Sequence, residues 1–188
     1  MVPCQGQNFA YYTAWATILQ GWVLSEQGQG VEVMTQMRQG LAALRATGGE
    51  LRAPYYLTLL AEAHGNGGRA AEGLRVLAEA HTLVEEHEER WWEAEVHGLR
   101  GVLLLRQTVA QPEEAETWLR RALDVARRQE AKSLELRAAT SLARLWQQQG
   151  KRANAHQLLA EVYDWFTEGF DTADLQEAGA LLDTLKKE

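Results

Sequence analysis

Apolar residues recur every three to four positions along almost the whole chain, from Phe9 to Leu185, with polar residues filling the intervals. That spacing puts them on one face of successive α-helices, and no stretch shows the strict alternation of a half-buried strand. The pattern predicts helices over 10–27, 30–46, 51–66, 69–87, 89–107, 112–129, 132–149, 152–167 and 172–186. Glycine marks the chain reversals at Gly28 and Gly30, at Gly65, Gly67 and Gly68, and at Gly150. Pro112 suits the first turn of a helix instead, because its missing N–H would have no partner there anyway. In the last segment Leu175, Ala178, Leu182 and Leu185 share one face, while Glu177, Lys186 and Lys187 keep the remainder polar. Asp171 or Thr172 can cap its start, with Asp174 in the first turn.

The helices repeat. A small residue sits mid-helix at Gly21, Ala61, Gly101 and Ala143, spaced 40, 40 and 42 residues apart. A second series in the following helices is Val33, Gly73, Ala115 and Ala155. Four residues beyond it stand Met37, Leu77, Leu119 and Leu159, and seven beyond it Gly40, Ala80, Ala122 and Val162. Residues at i, i+4 and i+7 share a helix face, where the small ones permit close approach and the large ones fill the gap. One register therefore fits the chain, with two extra residues in the third turn near Thr108–Pro112. Four helix–turn–helix units follow, at about 10–50, 51–88, 89–131 and 132–170. Residues 1–9 form a flexible N-terminus and 171–188 a C-terminal capping helix. The fold class is all-α, an α-solenoid.

This arrangement of small residues resembles tetratricopeptide repeats, which place small residues at the eighth, twentieth and twenty-seventh positions and a large apolar one at the twenty-fourth. The period here is longer than that family's, and the aromatic of its fourth position is replaced by Thr17, Leu57, His97 and Ala139. HEAT or armadillo repeats, with periods of ~40 residues, are the alternative. A finer resemblance lies in WATILQGWVLSEQGQG, MRQGLAALRATG, PYYLTLLAEAHG, RWWEAEVHGLRGVLLL, LELRAATSLARLWQQQGKR and WFTEGFDTADLQEA. These stretches are similar to the C-terminal repeat region of bacterial signalling proteins that join a class III adenylate/guanylate cyclase to a STAND-type ATPase. The chain holds neither of those parts, so the resemblance implies a fragment or a free-standing relative and carries over no catalytic role.

Charge and composition narrow the chemistry. The net charge is −7, which argues against a general nucleic-acid binder. Only residues 101–150 are net positive, at +2, and Arg120, Arg121, Arg127 and Arg128 lie on one predicted helix. Glu116 precedes Arg120 by four residues and Asp124 precedes Arg128 by four, so a salt-laced outer face is the expected arrangement. The start of the chain lacks a secretory signal, and apolar runs such as Val102–Leu105 are far too short to span a bilayer, which places the chain in the cytoplasm. The single cysteine, Cys4, excludes an internal disulfide framework.

No catalytic constellation emerges. The glycines at 65, 67 and 68 precede Arg69 with no lysine, hydroxyl or strand, so they make a helix–helix turn rather than a phosphate loop. His64, His81, His87, His97 and His156 form no metal-binding pair at helical spacing, and the acidic run of Glu85, Glu86, Glu88 and Glu89 is a solvated loop between repeats. Cys4 has no adjacent base. The expectation is no enzyme, no cofactor and no metal. Seven tryptophans are expected mostly as core or inter-repeat filler.

If the tetratricopeptide resemblance holds, the first helices line a concave groove that binds a protein or peptide. Its residues include Trp15, Ile18, Trp22, Glu26, Tyr55, Thr58, Glu62, Asn66, Glu95, Val102, Arg106, Arg137, Thr140, Arg144 and Gln148, an aromatic end followed by a basic one. The finer resemblance implies a regulatory repeat domain whose partner is the cyclase or ATPase part. Alternatives are a small-molecule sensor and, more weakly, nucleic-acid binding through the arginine-rich stretch. The first helix carries Phe9, Tyr11, Tyr12, Trp15, Ile18, Leu19 and Trp22, more apolar surface than one neighbouring helix buries. A homodimer through Phe9, Tyr12 and Trp15 is expected to cover it.

Overall fold

The computed structural model describes residues 5–28, 31–49 and 51–186. Cys4, Gly30 and Lys187, singled out above, lie outside them. Among the described residues there are nine α-helices and no strand: α1 Gln5–Glu26, α2 Val31–Ala46, α3 Ala53–Asn66, α4 Ala70–His87, α5 Glu93–Leu105, α6 Pro112–Arg128, α7 Lys132–Gln148, α8 Arg152–Tyr163 and α9 Ala173–Lys186. The chain divides into two compact units, residues 1–90 and 91–188, close to the boundary expected between the second and third repeats. In the first unit α1 packs on α2 and α3 on α4, and α1 also meets α3. In the second, α5 packs on α6 and α7 on α8, α5 meets α7, and α9 closes against α7 and α8.

Three boundaries differ most from the sequence reading. α1 begins at Gln5, inside the stretch assigned to a flexible N-terminus. The helix expected from residue 89 starts at Glu93, after a 3-10 turn at Arg90–Trp92. α8 stops at Tyr163 rather than 167. There the chain turns back toward α9, which brings Phe170 beside Tyr163 with ring centroids 5.8 Å apart. The Tyr163 hydroxyl also lies 3.1 Å from where a side chain on Gly179 of α9 would begin.

The helix pairs rest on the small-residue register. All sixteen register positions, from Gly21 through Val162, are buried. A Cβ on Gly21 would meet Met37 Cγ at 2.5 Å, and one on Gly101 would meet Leu119 Cγ at 2.7 Å. These are equivalent positions of the first and third repeats, eighth against twenty-fourth, so α1–α2 and α5–α6 pack in the same way. Gly40 receives Ile18 on the other side, where a Cβ would stand 2.8 Å from Ile18 Cγ1. Interdigitation this tight leaves no slack for an added methyl group.

Helix ends repeat as well. Gly28, Gly68 and Gly150 occupy one register position and all have φ between 72° and 77°. Glycine carries no steric penalty in that left-handed region. At two of them the next residue closes a Schellman motif, Arg69 N–H donating to His64 O and Lys151 N–H to Trp146 O, each at 2.8 Å. α6 ends in the same motif with Glu130 in place of glycine, at φ 54°. It opens with Pro112, carries Glu113 and Glu114 in its first turn and Arg127 and Arg128 in its last, charges that complement the helix dipole.

The expected apolar face of α9 is buried: Leu175, Ala178, Leu182 and Leu185, joined by Leu181. Glu177 and Lys186 are exposed. Thr172 stands at the start of α9, its carbonyl accepting from Gln176 N–H. Its hydroxyl donates to Gly169 O at 2.7 Å. In the acidic run, Glu89 accepts the Arg52 N–H at 2.8 and 3.0 Å and so anchors the residue preceding α3. Glu85 meets Arg90 at 3.3 Å.

The tryptophans depart from expectation. Only Trp146 is buried; Trp15, Trp22, Trp92 and Trp118 are half-buried, and Trp91 and Trp165 are exposed. Interfaces built from glycine and alanine leave no volume for an indole. The rings settle at the edges, where the N–H of Trp22 and Trp118 each reaches a carboxylate.

Candidate functional site

In the first unit the face of α1 and α3 carries the expected groove residues. Trp15, Trp22 and Tyr55 are half-buried, and Glu26 and Asn66 exposed. Trp22 Nε1 donates to Glu62 Oε2 at 2.8 Å, and Asn66 Nδ2 donates to Glu26 Oε1 at 2.7 Å. Both bonds join residues 40 apart, one repeat period. The ninth position meets the ninth and the thirteenth meets the thirteenth. Two such bonds, one helical turn apart, require α1 and α3 to lie side by side, parallel and in register.

Two expected groove residues do not face outward. Ile18 is fully buried, wedged against Gly40 of α2, because the glycine opens a hole that a large apolar side chain fills. Thr58 is buried with its hydroxyl donating to Pro54 O at 2.7 Å. Tyr12 and Trp15 stack edge to face at 6.4 Å, and Phe9 and Tyr12 are 70% and 59% exposed.

In the second unit Glu95 and Arg137 form an ion pair at 2.9 Å, again joining equal register positions, here 42 residues apart. Arg144 pairs with Glu177 of α9. Thr140 is buried, its hydroxyl donating to Leu136 O at 2.8 Å. Val102 is half-buried, and Arg106 and Gln148 are exposed. The basic end expected here is thus largely neutralised by carboxylates within the chain.

The arginine-rich α6 is laced with salt bridges. Glu116 holds Arg120 at 2.8 Å and Lys151 at 3.5 Å, and Glu135 holds Arg127 at 2.9 Å and Lys132 at 2.7 Å. Burial raises both carboxyls, but hydrogen bonds and cations outweigh it. Arg120 and Lys151 hold Glu116, and Lys132 and Arg127 hold Glu135, below the usual carboxylate range.

Trp118 was read as filler, yet it is a meeting point. The Arg100 and Arg121 guanidinium carbons lie 4.0 and 4.7 Å from its ring centroid, and the His97 ring stands at 5.1 Å. Its Nε1 donates to Glu114 at 3.3 Å. Nothing in periodicity or composition marks this cluster, because its members come from two helices. His64 is likewise a surprise. It is fully buried and accepts a hydrogen bond from Arg38 at 3.1 Å. Burial, with Arg38 and Arg69 nearby, pushes its pKa down to about 4, so the ring is neutral at pH 7.

Among the described residues no group of His, Cys, Asp and Glu is placed to hold a metal, and no helix is long and apolar enough to cross a membrane. No protein-family model matches the chain, and no curated protein does.

Proposed function

We propose that this chain is a non-catalytic protein-interaction scaffold of tetratricopeptide-like repeats, a regulatory domain of the kind that follows cyclase and STAND-type ATPase parts in bacterial signalling proteins. The observation that carries the reading is the bonding of equal register positions across neighbouring first helices, Trp22 to Glu62 and Glu26 to Asn66. It holds the helices parallel and sets half-buried Trp15, Trp22 and Tyr55 on adjacent elements. Aromatic side chains of this kind supply large contact area at little entropic cost, the usual anchor of a peptide surface. The partner is a protein or peptide.

Photo-crosslinking tests this. Benzoylphenylalanine placed at Trp15 or at Tyr55 is expected to give discrete crosslinked partners in cells, whereas the same group at exposed Arg128 is not. Equal labelling from all three positions, or none from 15 and 55, would remove the groove assignment.

A further inference from the structure

The exposed residues of α1 form a stripe. Phe9, Ala16 and Val23 recur every seven residues, with Tyr12, Thr13 and Gln20 beside them, and all six are exposed. Ala14, Ile18, Gly21 and Ser25, on the opposite side of the same helix, are buried. Seven-residue spacing along a helix is the seam on which two helices lie side by side at a shallow crossing angle of about 20°. Gln20 accepts from Gln36 of α2 through its side-chain oxygen at 3.3 Å, which keeps its amide N–H groups as donors.

Charge narrows what can cover the stripe. Residues 5–25 of α1 include no Asp, Glu, Lys, Arg or His, although the chain as a whole carries −7. A charged partner gains nothing by complementarity here, whereas two acidic copies can meet on this face without like charges opposed.

The stripe is also self-complementary. A two-fold axis at Ala16 runs two copies of α1 antiparallel and sets residues equally far before and after Ala16 against each other. Phe9 then faces Val23, and Tyr12 faces Gln20, whose amide can meet the Tyr12 hydroxyl. Each pairing occurs twice, a ring against a smaller side chain at both ends and alanine on alanine at the centre, so the axes stay evenly close. A parallel pair would put Phe9 on Phe9 and Tyr12 on Tyr12 at one end, hold the helices apart at Ala16, and align their dipoles unfavourably.

The area suffices for a modest affinity. Phe9 and Tyr12, 70% and 59% exposed, leave roughly 250 Å² of ring surface on each copy. With Val23 and the small residues between, two copies bury about 1,000 Å², the lower end for a specific interface.

We infer that this chain self-associates as an antiparallel two-fold pair through the Phe9–Ala16–Val23 stripe of α1. Trp22 lies round the helix from that stripe, bonded to Glu62 of α3, so the pair leaves that side open. Trp15, half-buried one turn before Trp22 on α1, belongs with it rather than with the seam. Two grooves are then presented together, and a partner carrying two binding segments gains avidity. That consequence rests on the scaffold reading; the pairing does not.

The test is light scattering on the full chain at tens of micromolar, with disulfide trapping in a Cys4→Ser background. The parent is expected to be a dimer. Ala16→Arg, which sets two like charges on the axis, should weaken it at least tenfold with an unchanged circular dichroism spectrum. Ala10→Arg, exposed on another side of α1, should change it less than twofold. Ala16→Cys should form a disulfide-linked dimer on mild oxidation and Gln20→Cys should not, because antiparallel copies separate the two Gln20 positions by about eight residues of helix, ~12 Å. Trapping at both positions would show parallel helices and overturn the arrangement. A monomeric parent, or equal loss in both arginine variants, would overturn the seam. A monomer that sediments with phosphatidylcholine vesicles would give the stripe to a lipid surface instead. Failed crosslinks from positions 15 and 55 beside an intact dimer would sink the groove reading and leave the pairing standing.

Discussion

Two glycines on α5, three residues apart, separate local helix propensity from tertiary packing. Alanine for glycine inside a helix stabilises by about 0.5–1 kcal/mol, because the unfolded chain loses freedom and the helix gains a better former. At Gly98 the new Cβ would meet only Ala122 Cβ at 3.7 Å, an ordinary contact, so that gain should be kept. At Gly101 it would stand 2.7 Å from Leu119 Cγ and 3.0 Å from both the Ala115 carbonyl oxygen and Leu119 Cδ2. Leu119 is fully buried and a backbone carbonyl cannot swing aside, so α6 must shift as a body. Overpacking of that kind costs about 1–3 kcal/mol and exceeds the propensity gain. Gly98→Ala should therefore raise stability by about 0.5–1 kcal/mol and Gly101→Ala lower it by about 1–2 kcal/mol. For a chain of this length each kcal/mol moves the melting temperature by about 2–4 °C. Urea unfolding followed by circular dichroism reads the difference directly. If Gly101→Ala proves as stable as Gly98→Ala, α5 and α6 do not meet at the eighth and twenty-fourth register positions, and the repeat register fails with them.

Three further outcomes are expected. His64 is neutral when folded, with a pKa near 4, but titrates near 6.5 when unfolded. The unfolded chain thus takes up a proton first, and stability present above pH 6.5 is lost as pH falls toward 4, by up to about 3 kcal/mol from this residue. Urea unfolding at pH 7 and pH 5 should show that loss in the parent and a smaller one in His64→Gln; equal losses would remove His64 as the cause. Ala115→Trp and Ala155→Trp, at fully buried register positions, should lower the melting temperature severely, while Arg121→Ala on the surface should lower it little; a similar drop in all three contradicts the packing described. Phe9 and Tyr12 expose a large apolar surface on α1, and light scattering at micromolar concentration should give a dimer that Phe9→Glu/Tyr12→Glu converts to a monomer. A monomeric mass for the parent chain would contradict that self-association.

What the sequence determined by itself was the set of helices and the register along them. Gly21, Ala61, Gly101 and Ala143 recur at a near-constant period because two helices can approach closely only where side chains are small, and the partner positions must then recur too. The apolar face of α9 and the glycine turns at 28, 68 and 150 were legible for the same reason, since each is a local demand of helix geometry or of a left-handed φ. The tertiary structure decided which polar groups meet. Periodicity puts Trp22 and Glu62 at equivalent positions, but only the side-by-side packing of α1 and α3 brings them to 2.8 Å. Ile18 carried a groove position in the register and a hole in Gly40 drew it into the core instead. The tryptophans moved outward because interfaces of glycine and alanine cannot hold them, and one of them gathered two arginines from different helices. Contacts between separate elements depend on rotations and offsets of a few ångströms, which hydrophobic spacing along one helix does not encode.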